Sequence, residues 1–174
     1  MKPKVYFYTL DYSKEASSKD STAASNDLEQ AEPAESVEKK RVCDWALAIA
    51  TKKFRAKRGV FIQAASQEEA EGLDENLWVR EPDSFVPHRL VSESPQQFAP
   101  VVIGFEPHQG MRSDTYINLA FDAQQIPENF HQYREIIDFV SEEEDLKEIA
   151  RARFRAYRQA GCQLSHQAIS QAET

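Results

Sequence analysis

The chain has 174 residues, 41% hydrophobic and 29% charged, which suits one soluble domain with a substantial core. Formal net charge is −8, yet eight acids against two lysines between Asp11 and Glu38 hold −6 of it. The rest carries only −2, so a basic patch can form there. No run approaches the ~18 apolar residues of a membrane helix, and Met1–Val5 lacks the apolar core and small-residue cleavage site of a signal peptide.

Lys4–Leu10, rich in Val, Tyr, Phe and Thr, reads as a first strand buried on both faces. Asp11–Ser36 has only Tyr12 and Leu28 as large hydrophobes and cannot offset its ordering entropy. It is expected to be an acidic mobile insertion over about residues 12–36, with room for a short helix around Asp27–Glu32. Val37–Arg58 is the first long helix. Val42, Trp45, Ala46, Ile49 and Phe54 form its apolar stripe, and Lys39, Lys40, Lys52 and Lys53 its solvated side. Gly59 is expected to stop it. Val60–Gln63 is a second strand, and the order strand, helix, strand predicts a right-handed crossover and a parallel pair. Ser66 with Glu69 is a capping box for a helix running to about Leu77.

Leu77–Leu90 follows, with Trp78, Phe85, Val86 and Leu90 crowded between Pro82 and Pro87. Such a stretch is either a loop whose aromatics cap the core or a preformed hydrophobic ledge anchored by Trp78 and Phe85. Val101–Phe105 and Tyr116–Ala120 read as strands. The short Pro107–Ser113 turn between them predicts an antiparallel hairpin. Ile136–Val140 is read as the last strand. Glu142–Ala160 is the last helix, with Ser141 as N-cap and Glu144 completing a second capping box. Glu142, Glu143, Glu144 and Asp145 suit the helix dipole, and Gly161 is a natural stop. Leu164–Thr174 is polar and expected to fray. The fold expected is a single three-layer α/β domain over residues 1–164 with a polar tail at 165–174. Its sheet would be mixed, mostly parallel, with helices on both faces, Rossmann-like without a nucleotide fingerprint.

Enzyme chemistry finds little support. Gly59, Gly72, Gly104, Gly110 and Gly161 make neither G-x-G-x-x-G nor a phosphate loop. His88, His108, His131 and His166 match no metal spacing, and no nucleophile or orienting carboxylate stands at a motif distance from His88. Cys43 and Cys162 make no scaffold or zinc site; reduced thiols of a cytoplasmic protein are expected, a single bridge being the other option. No cofactor or metal is expected. The last helix says more. At 100° per residue, Lys147, Arg151, Arg155 and Arg158 fall within roughly 80°, with Phe154 at the edge of the stripe and Leu146, Ile149 and Tyr157 toward the sheet. A basic stripe is often plain solvated surface. Beside an aromatic it suits a ligand both acidic and apolar, since arginine forks hold carboxylates well.

Leu77-Trp78, Arg80, Ser84-Phe85-Val86-Pro87-His88 and Leu90 resemble the signature of the chi subunit family of bacterial DNA polymerase III. Ala99-Pro100-Val101 is similar to the family's next strand. Asp138-Phe139-Val140, Leu146-Lys147, Ala150-Arg151, Arg153 and Ala156-Tyr157-Arg158 through Ala160-Gly161 are similar to its C-terminal helix. The match leaves out roughly Tyr12–Ser36 and the last ten residues. The resemblance implies a non-catalytic adaptor that links the clamp loader to single-stranded-DNA-binding protein. Lys147, Arg151 and Arg155 would hold the acidic C-terminal tail of that protein, which ends in proline and phenylalanine, and Val140 and Phe154 would line the pocket for its last ring. Arg158 is added from the helical geometry. Phe154 stands where the family often has tyrosine, keeping the ring without the hydroxyl. The psi subunit would dock on the ledge of Trp78, Phe85, Val86 and Pro87, with His88 nearby; a helicase-like repair partner is linked to the same ledge. The acidic insertion is not expected of the shorter members. Two rivals remain: a nucleotide-dependent enzyme on the same scaffold, and direct DNA binding, which a single short stripe on an acidic chain would make weak at most.

Overall fold

Val5 and Phe7 are buried on one face of the strand Lys4–Leu10 (β1), while Tyr6 and Tyr8 on the other are half-buried. The expectation of burial on both faces is therefore corrected: one side is sealed and the other partly open. The computed structural model describes residues 2–10, 34–80, 85–93, 98–106 and 113–169. Residues 12–33 of the acidic insertion, with the Asp27–Glu32 helix, fall outside the described residues, while 34–36, expected to belong to the insertion, are the start of the first helix.

The first helix (α1, Ala34–Arg55) buries Val42, Ala46, Leu47 and Ala50, with Trp45, Ile49 and Phe54 along its margin. Gly59 does not end it. The chain turns at Lys57, whose φ is +58°, with Lys57 N–H donating to Phe54 O (2.8 Å) and Arg58 N–H to Lys53 O (3.0 Å). Gly59 instead ties two strand starts together: its O accepts from Asp114 N (2.9 Å) and Thr115 N (3.0 Å). The second strand (β2, Val60–Gln63) leads to α2 (Gln67–Val79). Glu69 N–H donates to Ser66 Oγ (3.2 Å), so Ser66 caps α2 as expected, but the return bond is displaced by one residue: Glu69 Oε2 accepts from Ala65 N–H at 2.7 Å instead of from the N-cap itself.

The remaining strands are β3 (His88–Leu90), β4 (Val101–Gly104), β5 (Thr115–Asn118), β6 (Glu135–Val140) and β7 (Gln163–Ile169), the last after the helix α3 (Glu144–Gln159). They form a seven-stranded sheet in the order β3-β4-β2-β5-β6-β1-β7, and every pairing is parallel. Three expectations change. First, β1 and β2 are not neighbours, because β5 and β6 lie between them. Second, β4 and β5 make no hairpin. They flank β2 in parallel, Val60 pairing with Val101 on one side and Thr115 on the other. The ten residues between them can span ~33 Å, enough to run back along a four-residue strand and step across β2. Third, Gln163–Ile169 does not fray. Its backbone pairs along β1 from Lys4–Gln163 to Leu10–Ile169, and its polar side chains reflect an edge position.

The last helix also starts differently. Ser141 Oγ accepts from Glu143 N (3.1 Å) before the helix begins, and Glu143 caps it without a side-chain bond. The second capping box is thus absent, and Glu144 is left to pair with Arg151. The C-terminus behaves as expected. Gly161 has φ +75°, Gly161 N–H donates to Arg158 O (3.0 Å) and Cys162 N–H to Tyr157 O (3.0 Å), a Schellman stop that turns the chain directly into β7.

The layers follow from these faces. α1 and α2 cover one side of the sheet over Ile62, Ile103, Ile117, Ile137 and Phe139. α3 covers the other with Tyr157, over Val5, Phe61, Val102, Tyr116 and Ile136. The most buried polar contact lies on the α3 side. Arg153 Nε and Nη2 donate to Asp138 Oδ2 (2.8 Å) and Oδ1 (2.9 Å), and Nη1 donates to Phe121 O (2.9 Å) and Ala123 O (2.8 Å). Asn118 Nδ2 adds a bond to Asp138 Oδ1 at 3.2 Å. Burial works against the guanidinium charge, but the Asp138 carboxylate more than offsets it, and the pKa of Arg153 rises. Arg153→Leu strands the carboxylate in the core and is expected to cost about 3–5 kcal/mol in urea unfolding. Pairing it with Asp138→Asn should recover most of the loss. A cost below about 1 kcal/mol for the single change would refute this role.

Candidate functional site

The outer side of α3 meets the edge of the sheet in a groove of about 390 Å³. Phe7, Thr9, Val140 and Ala150 line it together with Phe154, whose ring lies 5.2 Å from that of Phe7. Lys147, Arg151 and Arg155 supply its cations, and His166 of β7 lines it as well. Five of the six residues expected here thus share one cavity. Arg158 is exposed and does not line it. The cations are not sunk into the protein: Arg151 Nη1 reaches Glu144 Oε1 (3.0 Å) and Glu148 Oε1 (3.3 Å), with side chains 52–69% exposed. Lys147 Nζ lies 3.9 Å from Glu142 and from Glu144. Such exposed pairs are worth little and exchange readily for another carboxylate. Among the described residues, Arg155 forms no ion pair.

The Leu77–Leu90 stretch splits in two. Trp78 and Phe85 are 59% and 57% exposed, with ring centroids 5.2 Å apart. The His88 ring stands edge-on to Trp78 at 5.1 Å. These three rings form an aromatic shelf, and neighbouring Val79 is also exposed. Val86 points the other way into the α2 side of the core, and Pro87 is half-buried. The end of the expected loop is the edge strand β3, too short for periodicity to betray. His88 Nδ1 lies 2.6 Å from Val86 O, and its Nε2 lies 3.3 Å from Asp74 Oδ1. Burial raises the Asp74 pKa, while His88 and a hydrogen bond from Trp78 pull it down. Asp74 therefore steadies two of the three rings, one helical turn before Trp78.

Sequence reasoning did not find Phe7, Thr9, Ala150, His166 or Asp74. Phe7, Thr9 and His166 converge only through parallel pairing of β1, β6 and β7, which leaves no trace in local spacing, whereas Ala150 was legible as the i+3 neighbour of Lys147 and the i−4 neighbour of Phe154 on α3. Asp74 was legible in part, as the i−4 neighbour of Trp78 on a helix. The shelf flanks β3 on the α1/α2 face, and the groove flanks β7 on the opposite face. Six strand spacings, ~29 Å, separate those edges.

A fully parallel sheet layered between helices, with no glycine-rich phosphate turn, defines a Rossmann-like α/β module. Residues 3–165 match the family described as DNA polymerase III chi subunit, HolC. The chain is 38% identical over 118 residues to DNA polymerase III subunit chi of Escherichia coli (strain K12), covering 67% of this chain and 78% of that protein. It is 37% identical over 124 residues to the chi subunit of Haemophilus influenzae (71% and 81%), and 33% over 116 residues to that of Pseudomonas aeruginosa (67% and 78%). The chain belongs to the chi subunit family of DNA polymerase III, and thus to DNA replication.

The cysteines are free thiols, each half-buried. Burial, aided by Glu69 and Asp44 and opposed by Lys39, pushes the Cys43 thiol up to about 11. Burial also raises Cys162, against Lys2. At pH 8 only about one Cys43 in a thousand is then thiolate, the form that reacts. Its labelling by a disulfide reagent should run at least ~100-fold slower in the native protein than in urea and quicken as pH rises. Equal rates in the two states would contradict this environment.

Proposed function

We propose that the protein is a non-catalytic adaptor of the DNA polymerase III holoenzyme, acting in the cytoplasm at the replisome. One end holds the acidic C-terminal tail of single-stranded-DNA-binding protein and the other docks the psi subunit of the clamp loader. The observation that carries this reading is the groove, where an apolar floor of Phe7, Val140 and Phe154 lies beside Lys147, Arg151 and Arg155. That combination suits a peptide with acidic residues and a terminal aromatic: the ring enters the apolar floor, and the guanidinium forks take the carboxylates. Arg158, one turn further on, meets residues upstream in the tail. Micromolar affinity, about −8 kcal/mol, is reasonable for so small a groove.

The shelf of Trp78 and Phe85, steadied by His88, supports the second half of the reading. Exposed paired aromatics are the residue types that anchor protein interfaces. Val86 and Pro87 hold the shelf from behind. A helicase-like repair partner would compete with psi here. The wide separation lets one molecule carry both partners at once. The rival reading, a nucleotide-binding enzyme, would need a phosphate cradle; a specific thermal shift with nucleotides would favour it.

Arg151→Glu is expected to weaken binding of an acidic Pro-Phe-ended peptide more than tenfold in calorimetry, with the melting temperature kept. Unchanged affinity would refute the groove. Phe85→Ala should weaken psi binding at least tenfold and leave peptide binding intact. If both fall together, the shelf is structural only.

A further inference from the structure

We infer that His166 is a recognition residue of the α3 groove, whose protonated imidazole is a further cation for an acidic, carboxylate-ended peptide. The inference rests on the groove reading above and extends it to the β7 wall. His166 pairs with Phe7 in the parallel register of β1 and β7, so both side chains turn to the same face of the sheet. Phe7 is in ring contact with Phe154 inside the groove, and His166 lines the same cavity. Its neighbour Gln167 instead lines the cavity on the α1 side, as strand alternation requires.

The surroundings make this position sensitive to charge. From α3, Lys147, Arg151 and Arg155 line the cavity. From β1 and β6 come Phe7, Thr9 and Val140, which carry no charge. Among the described residues no carboxylate lines it; Glu142, Glu144 and Glu148 pair with Lys147 and Arg151 outside the lining. The imidazole is exposed, so a ligand can reach it. A carboxylate beside the ring is attracted to imidazolium far more than to imidazole. Histidine ordinarily gains its proton near pH 6.5, whereas peptide carboxylates stay ionised down to about pH 4. Affinity should therefore rise as pH falls from 8 to 5.5, and binding should take up part of a proton. The apolar floor is indifferent to pH, and replacing His166 separates this wall from the acids paired with Lys147 and Arg151.

Calorimetry with a synthetic acidic peptide ending in Pro-Phe tests this, at pH 8 and 5.5 and in two buffers of different ionisation enthalpy. The wild-type protein should bind about three- to fivefold tighter at pH 5.5, as one exposed charge pair would allow, with proton uptake on binding. His166→Gln should lose both effects, whatever its affinity at pH 8. His166→Lys should bind tighter than wild type at pH 8 and respond little to pH. If His166→Gln retains the wild-type pH response, the inference is overturned. Binding that is sensitive to Arg151→Glu but flat with pH would overturn it too, leaving the groove reading intact. Folded wild type that binds the peptide at neither pH would sink both.

Discussion

Asp138 and Arg153 are joined side-on in the core, with the remaining guanidinium nitrogen spent on two loop carbonyls and Asn118 completing the carboxylate's bonds. This contact couples the end of β6, the middle of α3, the end of β5 and the chain at Phe121–Ala123. It also sets the rotation of α3. Residues two places apart on a helix lie 200° around it. With Arg153 held inward, Arg151 and Arg155 must face outward, and Phe154, 100° from Arg153, is left at the edge of that stripe beside Phe7. The cations of the groove are thus aimed by a cation of the core. A charge in that position is costly to bury and is tolerated because each of its three nitrogens finds an acceptor.

The parallel sheet supplies the other half of the arrangement. Each edge is finished differently. At one end β3 is three residues long, and Trp78 and Phe85 stand out beside it. At the other, β7 is polar and lies open next to β1, and its His166 completes a cavity that α3 alone would leave as a flat stripe. Placing the two surfaces on opposite edges and opposite faces keeps their chemistries apart. One is built on aromatic rings with the Asp74–His88 pair behind them; the other is cationic around an apolar floor. Neither needs a moving part to be presented.

Two of the groove's three cations are already answered by acids at or just before the start of α3 and along its first turns. Glu144 and Glu148 reach Arg151, and Glu142 and Glu144 approach Lys147. Those acids sit in water, where an ion pair contributes little and is screened by salt. They neutralise the face without closing it. This explains how a chain of net charge −8 can carry a basic groove: the positive side chains are gathered by the fold, while most of the excess acid lies elsewhere in sequence.

Much of the α/β class was legible in local pattern. The β1 bounds, the Ser66 cap, the Gly161 stop and the basic stripe of the last helix each depend on residues within a few positions of one another. Where the reading failed, distance along the chain was the reason. The hairpin between β4 and β5, the pairing of β1 with β2 and the fraying of Leu164 onward were all judged from connection length or polarity, which do not reveal which strand lies between. Gly59 was taken as a helix stop because glycine tolerates the required angles, but Lys57 made the turn instead. The sequence alone determined which residues could be cationic, aromatic or buried. Only the tertiary structure decided which of them meet, because strand order and the inward turn of Arg153 arise from contacts between residues far apart in the chain.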